Sequence, residues 1–231
     1  MQDGGMNAEE MKEVAGQKAA ELIEHNMRVG IGTGSTVFYF IKHLINRVRD
    51  GLHIESAFSS IRSKEQAEAG GIFSLPNEDI HSLDITVDGA DEIDAKKHMI
   101  KGGGGALLRE KIIATASKEM LVLVDESKTV KMIGKAKLPV EIAPFAFMAA
   151  VKKIENLGYY GTMRHDEAHN LYETDNGNYI LDLALQDLIS DAHGLHEKLI
   201  TIPGVVETGL FYNIPCRIIV GGRDGKPHII V

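Results

Sequence analysis

The spacing of apolar positions changes along this chain, and the changes mark out the elements. Met11, Val14, Ala15, Leu22 and Ile23 recur at helical intervals behind Asn7, and Glu10 three residues after it completes a capping-box start. His25-Asn26 ends that helix. Met27–Ile31 is a short buried strand, and Gly32-Thr-Gly34 turns it into a second helix carrying Val37, Phe38, Ile41, Leu44 and Ile45. Leu52–Phe58 reads as a strand and Ser63–Gly70 as a helix stopped by Gly70-Gly71. Leu83–Val87 is a strand, Ala106–Ser117 a helix and Met120–Val124 an apolar strand. Strands apolar on both faces, alternating with helices, predict an α/β fold: a mostly parallel sheet flanked by helices.

Beyond Pro139 the texture changes. Pro139 and Pro144 bracket an extended segment, Phe145–Leu157 reads as a helix, and Thr162–His165 and Leu171–Thr174 read as strands. Asp175-Asn-Gly-Asn178 is a hairpin signal, because Asn-Gly accepts positive φ at both central positions. Tyr179–Leu185 is the return strand and His193–Ile200 a helix. This predicts a smaller α+β lobe over 138–202. Val205–Phe211, Cys216–Val220 and His228–Val231 read as strands, with a turn at Arg223-Asp-Gly-Lys226. They are expected to rejoin the first sheet, so that 1–137 and 203–231 form one discontinuous domain.

The 231 residues suffice for a full core, and 44% hydrophobic with 25% charged residues is ordinary for a globular protein. A net charge of -8 argues against nucleic acid and anionic membranes as partners. Local cations and backbone N–H groups still suit a small phosphorylated ligand. The single cysteine, Cys216, reads as a core thiol and fits a reducing cytoplasm. Met1–Met6 lacks the pattern of a secretory leader, and no apolar run is long enough to span a bilayer. The ten histidines form no zinc spacing, so no metal and no cofactor are expected.

Three stretches carry candidate chemistry. Gly30-Ile-Gly-Thr-Gly-Ser-Thr36 joins a strand to a helix start, where backbone N–H groups favour an anion. It meets neither the dinucleotide nor the Walker pattern, so a monophosphate fits best; a plain capped turn is the alternative. Asp88, Asp91 and Asp94, with Glu92 between, follow the Leu83–Val87 strand. Carboxylates this close repel, which suits acid–base work; a solvated acidic loop is the alternative. Lys101-Gly102-Gly103-Gly104-Gly105 opens the next helix and would offer a positive cup for a developing oxyanion. On that helix Glu110 repeats with Ala106, Leu107, Ile113 and Ala114, so it is a desolvated base or, failing that, a surface glutamate paired with Arg109 or Lys111. Lys128 is a candidate phosphate or sugar contact, and Lys12 a weaker one.

Taken together these stretches resemble the A-type ribose-5-phosphate isomerases over most of the chain, including Ile202-Pro-Gly-Val-Val206, Gly209-Leu-Phe211 and Thr174-Asp-Asn-Gly-Asn178. The resemblance implies a Rossmann-like domain with a ferredoxin-like lobe, and metal-free interconversion of ribose 5-phosphate and ribulose 5-phosphate through an enediol(ate), in the pentose phosphate pathway. It implies Glu110 as the base, Asp88 and Asp91 as loop carboxylates and Lys101 on the oxyanion side. Thr33, Gly34, Ser35, Thr36, Gly89, Ala90, Gly102, Gly103, Gly104 and Lys128 would contact substrate. It also implies a homodimer or a tetramer; the lone cysteine and the absence of a leader pattern or spanning run lead to the expectation of a cytoplasmic protein. Gly105 and Leu108 depart from the family, which often carries Ala and Thr there, and so does the Ser59-Ser60-Ile61-Arg62-Ser63 stretch. Two other readings stand beside it: a non-catalytic sugar-phosphate sensor and a nucleotide-dependent ligase or transferase.

Overall fold

The structure, a computed structural model, describes residues 5–231. Met1–Gly4, most of the stretch read above as lacking a leader pattern, lie outside the described residues. In chain order the elements begin α1 (Ala8–Glu21), β1 (Arg28–Ile31), α2 (Ser35–Arg49), β2 (Glu55–Phe58), α3 (Ile61–Glu68), β3 (Leu83–Gly89), β4 (Glu92–Ile93) and β5 (Met99–Ile100). There follow α4 (Leu107–Thr115), β6 (Ser117–Asp125), β7 (Leu138–Ile142), α5 (Phe147–Asn156), β8 (Tyr160–Met163) and β9 (Tyr179–Ala184). The last are α6 (Ala192–Ile200), β10 (Val205–Thr208), β11 (Leu210–Phe211), β12 (Cys216–Gly221) and β13 (Pro227–Ile230). Among the described residues, no helix is long and apolar enough to cross a membrane.

These elements form two compact units, 1–90 with 109–129 and 214–231, and 91–108 with 130–213. The boundaries differ from the expected 138–202 lobe. The short strands β4, β5 and β11 form a sheet of their own, in the order β11-β5-β4, and this sheet belongs to the second unit.

In the first unit six strands lie in the order β13-β12-β6-β3-β1-β2, all parallel except the edge strand β13. Helix α2 forms because Val37, Phe40, Ile41 and Leu44 repeat on one stripe, and all four are buried. Each such side chain contributes about 1.5–3 kcal/mol by leaving water. They meet Val29, Ile31, Ile85, Val87, Leu121 and Leu123 of the sheet in one core. Helix α1 begins as expected: the Asn7 side chain accepts from the Glu9 and Glu10 N–H groups, and Glu10 reaches back to the Asn7 N–H.

In the second unit β7-α5-β8-β9-α6-β10 forms an antiparallel sheet in the order β10-β7-β9-β8, the ferredoxin-like arrangement. Three expectations need correction. The 205–211 segment does not join the first sheet: β10 pairs with β7 and β11 with β5. The chain changes sheet at Gly209, whose N–H donates to the Pro139 carbonyl at 2.7 Å and where a Cβ would lie 2.3 Å from the Lys101 carbonyl oxygen. Only glycine fits that approach. Leu171–Thr174 is no strand: Leu171 makes one bridge to His165, across a turn in which His169 has φ 64°. Finally, the Asn-Gly turn uses positive φ at Gly177 alone. Its shape is set by Thr174, whose Oγ1 accepts from the Asn176 and Asn178 N–H groups while donating to the buried Glu141 carboxylate.

Candidate active site

In the first unit the candidate residues gather at the carboxyl edge of the parallel sheet, where open α/β sheets bind ligands. Thr33–Thr36 follow β1, Asp88 sits near the end of β3, and Lys128, partly exposed, ends a 3-10 turn after β6. Asp88 is fully buried; its Oδ1 accepts from the Thr33 N–H at 3.0 Å and the Gly89 N–H at 2.8 Å. Gly89 ends β3 and Ala90 carries the chain onward; both are partly buried.

The glycines of the 30–34 segment serve different ends. A Cβ at Gly30 would lie 2.2 Å from Thr86 Oγ1, and one at Gly32 would lie 2.0 Å from Asp88 Cγ. Both residues therefore clear room for side chains of the neighbouring strand, not for a ligand. Gly34 alone makes the turn: it is exposed, has φ 122° and would meet nothing within 4 Å. It leads α2, whose start has no side-chain cap and no acidic residue in its first turn. Ser35 is exposed there and Thr36 buried. Such a start leaves N–H groups and the positive end of the helix dipole for an anion.

Sequence reasoning missed the serines that hold this loop. Ser59 Oγ lies 2.7 Å from Thr33 Oγ1, and Ser63 Oγ donates to the Gly32 carbonyl at 2.7 Å. Ser60 caps α3. The signal was present: a Ser-Ser-x-x-Ser run directly after β2, at the same sheet edge.

Glu110 is 3% exposed. The buried positions of α4 are Leu107, Glu110, Ile113 and Ala114, so the carboxylate stands on the apolar stripe. Its level along the sheet follows from Thr86, whose hydroxyl donates to the Ile113 carbonyl at 3.1 Å. Glu110 lies one helical turn, about 5 Å, before Ile113. Asp88 lies two strand residues, about 6.6 Å, beyond Thr86 and on the same sheet face. Both carboxylates are thus carried toward the same edge of the same face.

In the second unit Asp91 is partly exposed and its Oδ2 accepts from the Gly103 N–H at 2.8 Å. Lys101 is 2% exposed, its backbone N–H is tied to the Gly209 carbonyl, and its ammonium stands 5.3 Å from the centre of the Phe211 ring. Gly102 and Gly105 have φ values of 101° and 81°, and Gly103 and Gly104 are exposed. The expected cup of glycine N–H groups is narrower than its sequence suggests, because Gly103 is already engaged by Asp91 and the Gly105 N–H closes a turn onto the Gly102 carbonyl.

The remaining acidic residues are structural. Glu92 accepts from the N–H groups of Gly134, Lys135 and Ala136. Asp94 closes the turn between β4 and β5 through the N–H groups of Lys96 and His98. Lys12 pairs with Glu9 at 2.6 Å on α1. Among the described residues, no three His, Cys, Asp or Glu side chains group as a metal site requires.

Residues 57–225 match the model of the family described as ribose 5-phosphate isomerase A, or phosphoriboisomerase A. A ribose-5-phosphate isomerase A of Protochlamydia amoebophila is 48% identical over 219 residues, 95% of this chain and 94% of that protein. A D-ribose-5-phosphate isomerase solved in complex with phospho-erythronic acid superposes with a TM-score of 0.92 at 36% identity, covering 97% of this chain and 99% of that one. The ribose 5-phosphate isomerase A of Methanocaldococcus jannaschii gives a TM-score of 0.90 at 34% identity, over 96% and 98% of the two chains. With sequence and fold agreeing over nearly its whole length, this chain belongs to the ribose 5-phosphate isomerase A family.

Proposed function

We propose that this enzyme interconverts ribose 5-phosphate and ribulose 5-phosphate by moving one hydrogen between C2 and C1, with Glu110 as the base. The carrying observation is Glu110 itself, a carboxylate 3% exposed on an apolar helix stripe. Nothing in core packing calls for a charge at that position, and a carboxylate held there can act as a general base on a bound substrate. The sensor reading is not favoured, since a binding module needs no such base.

The steps balance as follows. Ribose 5-phosphate opens as its C1–O4 bond breaks; the C1 hydroxyl loses a proton and O4 gains one, with Asp88 or Asp91 as carrier. Glu110 takes the C2 proton, leaving an enediolate whose negative charge Lys101 and the Gly102–Gly104 segment stabilise. A hydroxyl proton passes from O2 to O1, and Glu110 returns its proton to C1. Thr33, Gly34, Ser35 and Thr36 at the start of α2, with Lys128, hold the phosphate. Gly89 and Ala90 line the path of the sugar. The uncapped, acid-free start of α2 supports the phosphate assignment. The phosphate acts as a remote handle that positions the reacting carbons.

We also propose that the reaction needs no metal, and that the enzyme works as a cytoplasmic homodimer in the pentose phosphate pathway. The assay is conversion of ribose 5-phosphate with a chelator present, for the wild type and Glu110→Gln. The wild type should turn over fully. The variant should lose about 10²–10⁴-fold in kcat while binding phospho-erythronic acid within a few-fold of wild type. An active Glu110→Gln would remove Glu110 from its role, a chelator-sensitive wild type would remove metal independence, and sedimentation as a monomer would remove the dimer.

A further inference from the structure

We infer that Arg164 is a positioning residue for this reaction, fixing the direction in which the glycine loop after β5 points its N–H groups. The inference rests on the oxyanion role proposed for that loop. Four successive glycines have the widest conformational freedom of any such run, so an ordered loop needs an external hold. Arg164 supplies it. Its Nη1 donates to the Gly102 carbonyl at 3.0 Å and the Gly103 carbonyl at 3.1 Å. Its Nε and Nη2 fork onto Asp182 at 2.9 and 2.5 Å. Asp182 lies in β9, which is paired on both sides, by β7 and β8. The Arg164 and Asp182 side chains are only 16% and 13% exposed. The guanidinium is therefore a strut from a rigid sheet to the loop, using the planar fork that lysine lacks.

The direction follows from peptide geometry. No cis peptide occurs among the described residues. In a trans peptide the carbonyl of one residue and the N–H of the next point opposite ways. Drawing the Gly102 carbonyl onto Arg164 sends the Gly103 N–H away from it, and that N–H meets Asp91 Oδ2 at 2.8 Å. Drawing in the Gly103 carbonyl likewise sends the Gly104 N–H away from the guanidinium. Two consecutive amide dipoles are thus aligned, positive end outward, with Asp91 holding the first. Tyr172 closes the arrangement. Its ring centre stands 5.8 Å from Arg164 Cζ, and a Cβ at Gly105 would lie 2.3 Å from its hydroxyl oxygen. The departure to glycine at position 105 is therefore matched to this tyrosine.

The test compares Arg164→Lys, which keeps the charge and loses the fork, and Asp182→Asn, which loosens the fork with little change in volume. Arg164→Lys should lower kcat about 10²-fold, the scale of an ångström-level misplacement. KM for ribose 5-phosphate should stay within a few-fold, while affinity for phospho-erythronic acid should fall in step with kcat. Asp182→Asn should do the same to a smaller degree. Amide hydrogen exchange at Gly103, slowed by Asp91 in the wild type, should speed up in both. A kcat unchanged in a folded variant, even one with lowered thermal stability, would reduce Arg164 to a structural role and overturn the inference. So would unchanged exchange at Gly103 and Gly104. If the wild type fails to convert ribose 5-phosphate the proposed function falls, while the exchange data still decide whether Arg164 orders the loop.

Discussion

At the end of β1 and in the loop after it, Gly30 and Gly32 lie beneath the side chains of Thr86 and Asp88, and only Gly34 bends the chain. In the loop after β5, Gly102 and Gly105 take positive φ and Gly103 lies against Asp91. Each loop is tied by an aspartate that accepts one of its N–H groups: Asp88 from Thr33, and Asp91 from Gly103. Similar glycine-rich strings thus serve separate purposes. The first makes space for a buried carboxylate and leads into an uncapped helix start suited to phosphate. The second gives up side chains altogether, which leaves its backbone amides bare beside a buried lysine, the arrangement that the proposed oxyanion role requires.

The comparison predicts a split in kinetic constants: damage to the second loop should appear in kcat, and damage to the first loop's donors in KM. The largest effect is expected for Lys101→Met, a loss of about 10²–10³-fold in kcat with little change in KM, read by steady-state kinetics. Next is Gly32→Ala, whose methyl group would collide with the Asp88 carboxylate; it should cost about 1–3 kcal/mol in urea unfolding and lower kcat by displacing Asp88. Thr33→Val and Ser59→Ala each remove half of one hydroxyl pair. Each should cost about 0.5–1.5 kcal/mol, seen as a KM rise of up to tenfold with kcat held. A kcat effect in either would blur the distinction between the loops.

The smallest effect is a control on β3 away from both loops. Asp84 accepts the Arg28 N–H, foremost, and pairs with Lys118, which hold its carboxyl below the usual range. A lowered folded pKa gives stability above the unfolded value that is lost as pH falls. From about pH 5 to about pH 3, wild type should therefore lose more unfolding free energy than Asp84→Asn, while turnover at neutral pH is the same in both. Equal losses would show that Asp84 gains nothing from its partners.

The sheet was legible because its strands are short, largely apolar segments between turn signals, most plainly Met120–Val124. The sheet assignment of 205–211 was not. The run reads as one strand, and Gly209 divides it only because the Pro139 and Lys101 carbonyls lie close by, contacts distant in sequence. The Asp88, Asp91 and Asp94 spacing did not show the division of labour, since Asp94 spends its oxygens on N–H groups of its own turn and Glu92 on those of the distant residues 134–136. Glu110 was legible as a charge out of place in an apolar period. Arg164 was not, because an arginine at the end of a hairpin strand looks like any surface cation until Asp182 and the glycine carbonyls are seen around it.

The most direct test of the central claim is isomerisation in deuterium oxide, with the product read by NMR. A carboxylate that lifts a proton from C2 and returns one to C1 exchanges part of it with solvent, so deuterium should appear at C1 of ribulose 5-phosphate, and not with Glu110→Gln. Product that carries no solvent deuterium, with the C2 hydrogen passed wholly to C1, would contradict the account.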